Sequence, residues 1–252
     1  MSNDLTPPPG YGKVIPLDRL RHAGLSLRER SQAWAGALNS VFLNAAELPR
    51  AGLDYPVAFI REKSGEYLPV AVLGLREREN LFVDAAGAWL PQAYQPAYVR
   101  RHPFCLAQVP AQPGVEARQV ICVQEDQLAH GGEPLFDSKG EPTAAWTPLQ
   151  QLIEAMEAGL RQTREFSLRL DGLGLFTPFD ALAQAPGGAQ FRLNGLYRVD
   201  EQKLNALEAE RLRPLRERGE LRVVYAHLLS LERFATLLDL LRQRDGRRTK
   251  TH

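Results

Sequence analysis

The spacing of apolar residues changes near residue 145, and this change limits the fold of the 252-residue chain more than any other feature. Before it, short apolar runs alternate with turn signals, as in strands. After it, apolar residues recur every three or four positions, as on one face of a helix. We predict an α+β fold in one compact unit, β-rich over 13–145 and mixed β/α with three helices over 146–243. Residues 1–12 are predicted to be a flexible arm and 244–252 a basic tail.

The first β-hairpin is predicted where two apolar runs flank a short polar loop. The runs cover residues 56–60 and 67–75, and the loop contains Gly65. Glycine tolerates the positive φ that a tight turn requires, so the two runs are expected to pair as antiparallel strands. A further short strand is predicted at 81–83.

A second hairpin is predicted from residues 104–109 and 118–124. Antiparallel pairing around a loop centred on Pro113-Gly114 places Cys105 directly opposite Cys122. A shift of one residue would send the two side chains to opposite faces of the sheet, so two unrelated buried thiols are the alternative. In either case we expect both thiols to be reduced, as in a cytoplasmic protein.

The second half is predicted to contain three helices that start near residues 147, 200 and 228. For the first, Thr147 is the predicted N-cap, with Pro148 after it and Gln150 completing a capping box. Leucines and other apolar residues then recur along one helical face until Gly172 and Gly174, which are typical stop signals.

The two later helices alternate with strands in this prediction. Asp200 is the predicted cap of the second helix, and Ser230 is a candidate cap of the last one. Strands are predicted at 190–199 and 221–226, where apolar and β-branched residues are frequent.

Charge and hydropathy exclude some functional classes. Lys and Arg total 31 against 30 for Asp and Glu, so the net charge is +1 and gives no overall attraction to nucleic acid or anionic membranes. No apolar run approaches the about 18–20 residues of a membrane span. The first residues lack a secretory signal pattern, so we expect a cytoplasmic protein, with export through a C-terminal signal left open.

No catalytic or metal-binding motif emerges from the sequence. Five candidate ligands cluster in a Gly- and Pro-containing stretch without any standard ligand spacing, and a solvated loop is the favoured interpretation. We therefore predict no metal and no cofactor. His102 and Cys105 should point to opposite faces of a strand, and Ser230 beside His227 is interpreted as a helix cap. The five candidate ligands are Glu125, Asp126, His130, Glu133 and Asp137.

The segment 89–104 is the candidate binding site. It combines aromatic rings that carry polar groups with neighbouring arginines, a composition that recognition surfaces favour. The alternative is that the rings simply pack between the sheet and the helices. The candidate binding residues are Trp89, Tyr94, Tyr98, Arg100 and Arg101.

Several short motifs occur in a specific order along the chain. They are the segments 44–47, 53–59, 94–104, 132–137, 140–143, 195–204 and 225–231. In this order and spacing they resemble the SapC family, and the resemblance covers about residues 13–243. The family is named for an association with bacterial surface layers, and it provides no catalytic residues to transfer. A transporter permease of the same name is unrelated.

The resemblance implies an accessory role more than a catalytic one. Our main hypothesis is a non-catalytic binding protein that acts on a peptide, a protein or an envelope component, without nucleic acid or a membrane span. The alternatives are an enzyme or enzyme partner in the oxidative modification of a peptide or aromatic substrate, and a structural subunit of a surface layer.

Overall fold

The computed structural model describes residues 5–29, 31–109, 118–184 and 190–249. It has the predicted α+β architecture, in which antiparallel sheets combine with helices that lie mostly after residue 145. The strands are β1 (Val14–Pro16), β2 (Ser26–Leu27), β3 (Ser40–Phe42), β4 (Val57–Arg61), β5 (Tyr67–Val72), β6 (Phe104–Val109), β7 (Arg118–Gln124), β8 (Leu128–Ala129), β9 (Phe176–Gln184) and β10 (Gln190–Val199). The helices are α1 (Leu48–Ala51), α2 (Ala97–Arg100), α3 (Thr147–Gly172), α4 (Glu201–Asn205), α5 (Ala209–Glu217), α6 (Glu220–Ser230) and α7 (Phe234–Thr249).

A five-stranded antiparallel sheet joins the two halves of the chain, in the order β3-β5-β4-β10-β9. The predicted hairpin of β4 and β5 is confirmed, with Phe59 opposite Pro69. Strand β10 has the predicted bounds and pairs with β4, where Leu196 faces Ile60. Strand β9 was not predicted. The predicted strand at 81–83 is wrong, because only a single bridge from Val83 to Trp89 forms there.

A three-stranded sheet, in the order β1-β7-β6, contains the second predicted hairpin. Cys105 lies opposite Cys122, so the predicted register is confirmed. The loop predicted around Pro113-Gly114 lies outside the described residues. One face of this sheet presents Phe104 and Val123 to a cluster of buried side chains that includes residues of α3. The two cysteines belong to the larger core cluster of the protein.

Helix α3 begins at the predicted residue, but its predicted capping box is wrong. Trp146 occupies the N-cap position without a side-chain cap. The Thr147 hydroxyl instead donates to the Thr143 carbonyl (3.2 Å), and the Gln150 side-chain oxygen accepts from the Trp146 indole (2.8 Å). A turn over residues 143–146 leads into the helix, and the Thr143 carbonyl accepts from the Trp146 and Thr147 amides. The helix ends at Gly172, as predicted.

The prediction for the last third is partly wrong. Residues 221–226 lie in helix α6, where a strand was predicted, because Glu220, Val224 and His227 share one buried helical face. Tertiary packing thus outweighs the β propensity of the two valines in this segment. The predicted cap of α4 is confirmed, since the Asp200 carboxylate accepts from the Lys203 amide (3.1 Å).

Both predicted terminal segments contact the core in their described parts. Tyr11 is buried, and its hydroxyl donates to the Phe104 carbonyl (2.9 Å). Helix α7 extends to Thr249, and the Asp245 carboxylate accepts two hydrogen bonds from the Arg76 guanidinium (3.1 and 2.7 Å). Residues 5–12 and the end of α7 therefore contribute to the packing of the fold.

Candidate functional site

The five predicted binding residues differ widely in exposure. Trp89 and Tyr98 are buried, Tyr94 and Arg101 are half-buried, and Arg100 is exposed. They separate into two groups. Trp89, Tyr94 and Arg100 belong to one hydrogen-bonded chain of side chains, and Tyr98 and Arg101 belong to an aromatic cluster beside it.

Tyr94 is the centre of the first group. The Trp89 indole donates to the Tyr55 hydroxyl (3.1 Å), which in turn donates to the Tyr94 carbonyl. The Tyr94 hydroxyl donates to the Glu47 carboxylate (2.8 Å). Burial, followed by the charge of Glu47, raises the pKa of Tyr94 to about 12, so this hydroxyl stays protonated at neutral pH. The arrangement fixes Tyr94 in one position.

Glu47 was not predicted as a site residue, although it holds the site together. Its carboxylate also accepts from the Ala97 amide (2.8 Å) at the start of α2 and from the Asn44 amide (2.9 Å). A buried carboxylate that lost these three hydrogen bonds would pay a large desolvation cost. Glu47 therefore sets the position of α2 and of the residues that follow it. Its place after Asn44 in a capping-box pattern was the available sequence signal.

The second group is the Arg101 cluster, which we define as Tyr11, Trp34, Tyr98, Arg101 and His102. The Trp34 and His102 rings stack with centroids 4.1 Å apart, and the Arg101 guanidinium lies 4.8 Å from the centre of the Tyr98 ring. The Tyr98 hydroxyl donates to the Pro9 carbonyl (2.7 Å). Burial raises the pKa of Tyr98 to about 12, with Arg101 acting in the opposite direction.

A cleft of about 460 Å³ opens beside these two groups. It lies where α2, a 3-10 turn at Ala33–Ala37 and the first turns of α3 meet. This volume is within the usual range of ligand sites. The lining residues are Ser31, Gln32, Trp34, Gln95, Val99, Arg100, His102, Ala144, Ala145, Pro148, Leu149 and Leu152.

Of the five predicted residues, only Arg100 lines the cleft. Its Nε donates to the Gln95 carbonyl (3.1 Å), and its guanidinium lies against the Tyr94 ring at 5.9 Å from the centroid. No carboxylate of the described residues forms an ion pair with it. The Arg50 guanidinium also lies over the Tyr94 ring, at 5.8 Å from the centroid, but is paired with Asp54 (2.9 Å).

Sequence reasoning missed the walls of the cleft that lie outside the predicted segment 89–104. Trp34 lies far from the predicted segment in sequence, and Leu149 and Leu152 were assigned only to the core face of α3. His102 lies inside the predicted segment but was not among the five residues chosen as binding residues. Trp34 carried a partial sequence signal. It precedes the first predicted hairpin, and no predicted strand was available for its ring to pack against.

The pair His227 and Ser230 is structural, and its predicted place at a helix start is wrong. Both residues lie at the end of α6. The Val199 amide donates to His227 Nε2 (3.1 Å), so His227 Nδ1 is the nitrogen that donates to the Val57 carbonyl (2.9 Å). The Ser230 hydroxyl accepts from the Val57 amide (3.0 Å). These bonds connect α6 to β4 and β10.

The five acidic and histidine residues considered as metal ligands do not assemble. Glu125 pairs with Lys13 (2.7 Å), and the Asp137 carboxylate accepts amide hydrogen bonds within its own turn. In the described ranges, no three side chains of His, Cys, Asp or Glu are close enough to share a metal ion.

Comparison with known sequences identifies the family. A profile of the SapC family matches residues 17–237. The chain belongs to the SapC family. No curated protein and no solved structure matches it. Among the helices in the described ranges, none combines the length and hydropathy of a bilayer span.

Proposed function

We propose that this member of the SapC family is a non-catalytic binding or accessory protein whose cleft accepts a peptide segment of a partner protein. Such a segment would place an apolar side chain against α3 and a carboxylate beside Arg100. The observation that supports this proposal is the composition of the cleft. Among its described lining residues, Arg100 is the one Arg, Lys, Asp or Glu, and the others carry apolar, amide, hydroxyl or aromatic side chains.

Charge complementarity favours an acidic ligand. Arg100 is exposed and has no carboxylate partner among the described residues. Arg50, which also lies over the Tyr94 ring, is paired with Asp54. The start of α3 also borders the cleft, and the N-terminal end of a 26-residue helix adds a positive potential. Both features stabilise a negative group in the cleft.

Aromatic packing provides the second part of the argument. The rings of Trp34 and His102 stack on each other, and the Tyr11 ring packs edge-on against both, at 5.2 and 5.0 Å between ring centroids. Rigid aromatic surfaces contribute large contact areas at a small cost in side-chain entropy. This aromatic surface suits the side chain or backbone of an extended peptide.

The same lining favours binding over catalysis. His102 stacks on Trp34 and lies 3.3 Å from the Gln124 side-chain oxygen, and the Ser31 hydroxyl accepts from the Ala33 amide (3.1 Å). These side chains are engaged in holding the walls. The cleft therefore lacks, among the described residues, the converging acid, base and nucleophile that a hydrolytic or transfer site requires.

A peptide selection tests this proposal. We expect a random peptide library, selected on the immobilised full chain, to enrich peptides with an acidic group next to an apolar residue. Arg100→Gln should weaken a selected peptide by about 1–2 kcal/mol, roughly five- to thirtyfold in Kd by calorimetry. Arg50→Gln is the matched control, because Arg50 also contacts Tyr94 but does not line the cleft, and it should leave Kd unchanged.

Two outcomes would contradict the proposal. One is the absence of any peptide that prefers the wild-type chain to Arg100→Gln. The other is ordered self-assembly of the purified chain without a ligand, which would favour a surface-layer subunit. The cytoplasm remains our proposed location, and cell fractionation tests it.

A further inference from the structure

Cys105 and Cys122 are buried at directly opposed positions of β6 and β7. The Gln124 amide donates to the Pro103 carbonyl (3.0 Å), which marks that pair of positions as hydrogen-bonded. Hydrogen-bonded pairs alternate along an antiparallel ladder, so Cys105 and Cys122 also form one. The Cα atoms of such pairs lie about 5.5 Å apart, a separation that a disulfide bridges without movement of the backbone.

The two thiols have different surroundings. The neighbouring Cys122 thiol and the Arg101 guanidinium lower the pKa of Cys105 despite its burial. The interaction with Cys105, reinforced by burial, raises the pKa of Cys122, whose thiol donates to the Val120 carbonyl (3.9 Å). A thiolate beside arginine is the nucleophilic form of cysteine. Cys105 is therefore the more reactive thiol, and Cys122 is positioned to resolve its products.

Arg101 carries an unused hydrogen-bond donor. Its Nε is buried and has no hydrogen-bond partner among the described residues. An unsatisfied buried donor costs about 1–3 kcal/mol, so its retention calls for an explanation. A negative charge that forms transiently on Cys105 would provide one, because the same guanidinium already lowers the pKa of that thiol.

We propose that Cys105 and Cys122 form a redox dithiol site that reduces a small hydroperoxide and closes to a cross-strand disulfide. The Cys105 thiolate attacks the terminal peroxide oxygen, so that a sulfur–oxygen bond forms, the oxygen–oxygen bond breaks and an alcohol leaves with the thiol proton. The Cys122 sulfur then attacks the Cys105 sulfenic acid. The disulfide forms, the sulfur–oxygen bond breaks, and hydroxide leaves as water with the Cys122 proton.

The electrons balance without another reactant. Two thiols lose two electrons, and the hydroperoxide is reduced to an alcohol and water. Since Cys105 is only 1% exposed, the oxidant must be small and must enter through local opening of the hairpin. Hydrogen peroxide meets this requirement, whereas a protein disulfide does not. In a reducing compartment the resting form is the dithiol.

Intact-mass spectrometry of the folded, reduced full chain treated with hydrogen peroxide tests the proposal. After alkylation under denaturing conditions, we expect the loss of two hydrogens, no alkylated cysteine, and one linked peptide pair containing Cys105 and Cys122. Persistence of two free thiols, or formation of the disulfide only in denaturant, would overturn the proposal.

Single variants test the assigned roles. Cys122→Ser should accumulate a sulfenic acid at Cys105 that dimedone traps, whereas Cys105→Ser should leave Cys122 unmodified. Arg101→Met should slow the reaction about tenfold, the effect of one unit in the pKa of the attacking thiol. Equal trapping in both cysteine variants, or an unchanged rate in Arg101→Met, would refute the asymmetry. Each variant is compared with the wild type only where circular dichroism shows the same fold.

Discussion

Two buried polar sites in this protein differ in how completely their hydrogen bonds are satisfied. At His227 both ring nitrogens have backbone partners, Val57 and Val199, and no donor is left over. In the Arg101 cluster the Arg101 Nε has no partner among the described residues, and two other members of the cluster, Trp34 and His102, line a cleft. A complete network fixes the fold, whereas an incomplete one beside a cavity leaves interactions for a ligand or a reaction.

The largest change in the free energy of unfolding is expected when the His227 side chain, whose hydrogen bonds are all satisfied, is removed. His227→Ala leaves the Val57 carbonyl and the Val199 amide without partners and creates a cavity. We expect a loss of about 3–5 kcal/mol in the free energy of unfolding, measured by urea denaturation. A loss below about 1 kcal/mol would show that water replaces the imidazole. In that case the contrast between the two sites would disappear.

A smaller loss of unfolding free energy is expected at the same residue when the pH is lowered. Burial lowers the pKa of His227 from 6.5 to about 4, although the Val57 hydrogen bond acts in the opposite direction. Between these values the unfolded chain binds the proton and the folded chain does not. Stability is therefore complete above pH 6.5 and declines by about 3 kcal/mol as the pH falls towards 4.

The matched control for this pH effect is His227→Gln. Glutamine can donate and accept hydrogen bonds but does not titrate, so the difference in pH slope between the two proteins isolates His227 from the carboxylates. Parallel slopes of unfolding free energy against pH, from urea titrations between pH 4 and 7, would contradict the assignment of His227 as a buried neutral group.

The sequence predicted local elements better than the sites that they build. The β6–β7 register followed from centring the hairpin loop on Pro113-Gly114, and the cap of α4 followed from Asp200, because both depend on neighbours in the chain. The cleft depends on Trp34, Arg100 and Leu149 meeting across more than a hundred residues, which no local pattern encodes. Helix α6 was predicted as a strand for the same reason, since its packing partners are distant.

We propose that the cleft serves binding while His227 serves stability. The most direct test is calorimetric titration of one selected acidic peptide into Arg100→Gln and His227→Gln, with thermal unfolding of both. We predict that Arg100→Gln weakens binding roughly five- to thirtyfold and keeps the wild-type melting temperature. His227→Gln should bind with wild-type affinity and melt at a lower temperature. Equal affinity of Arg100→Gln and the wild type would contradict the account.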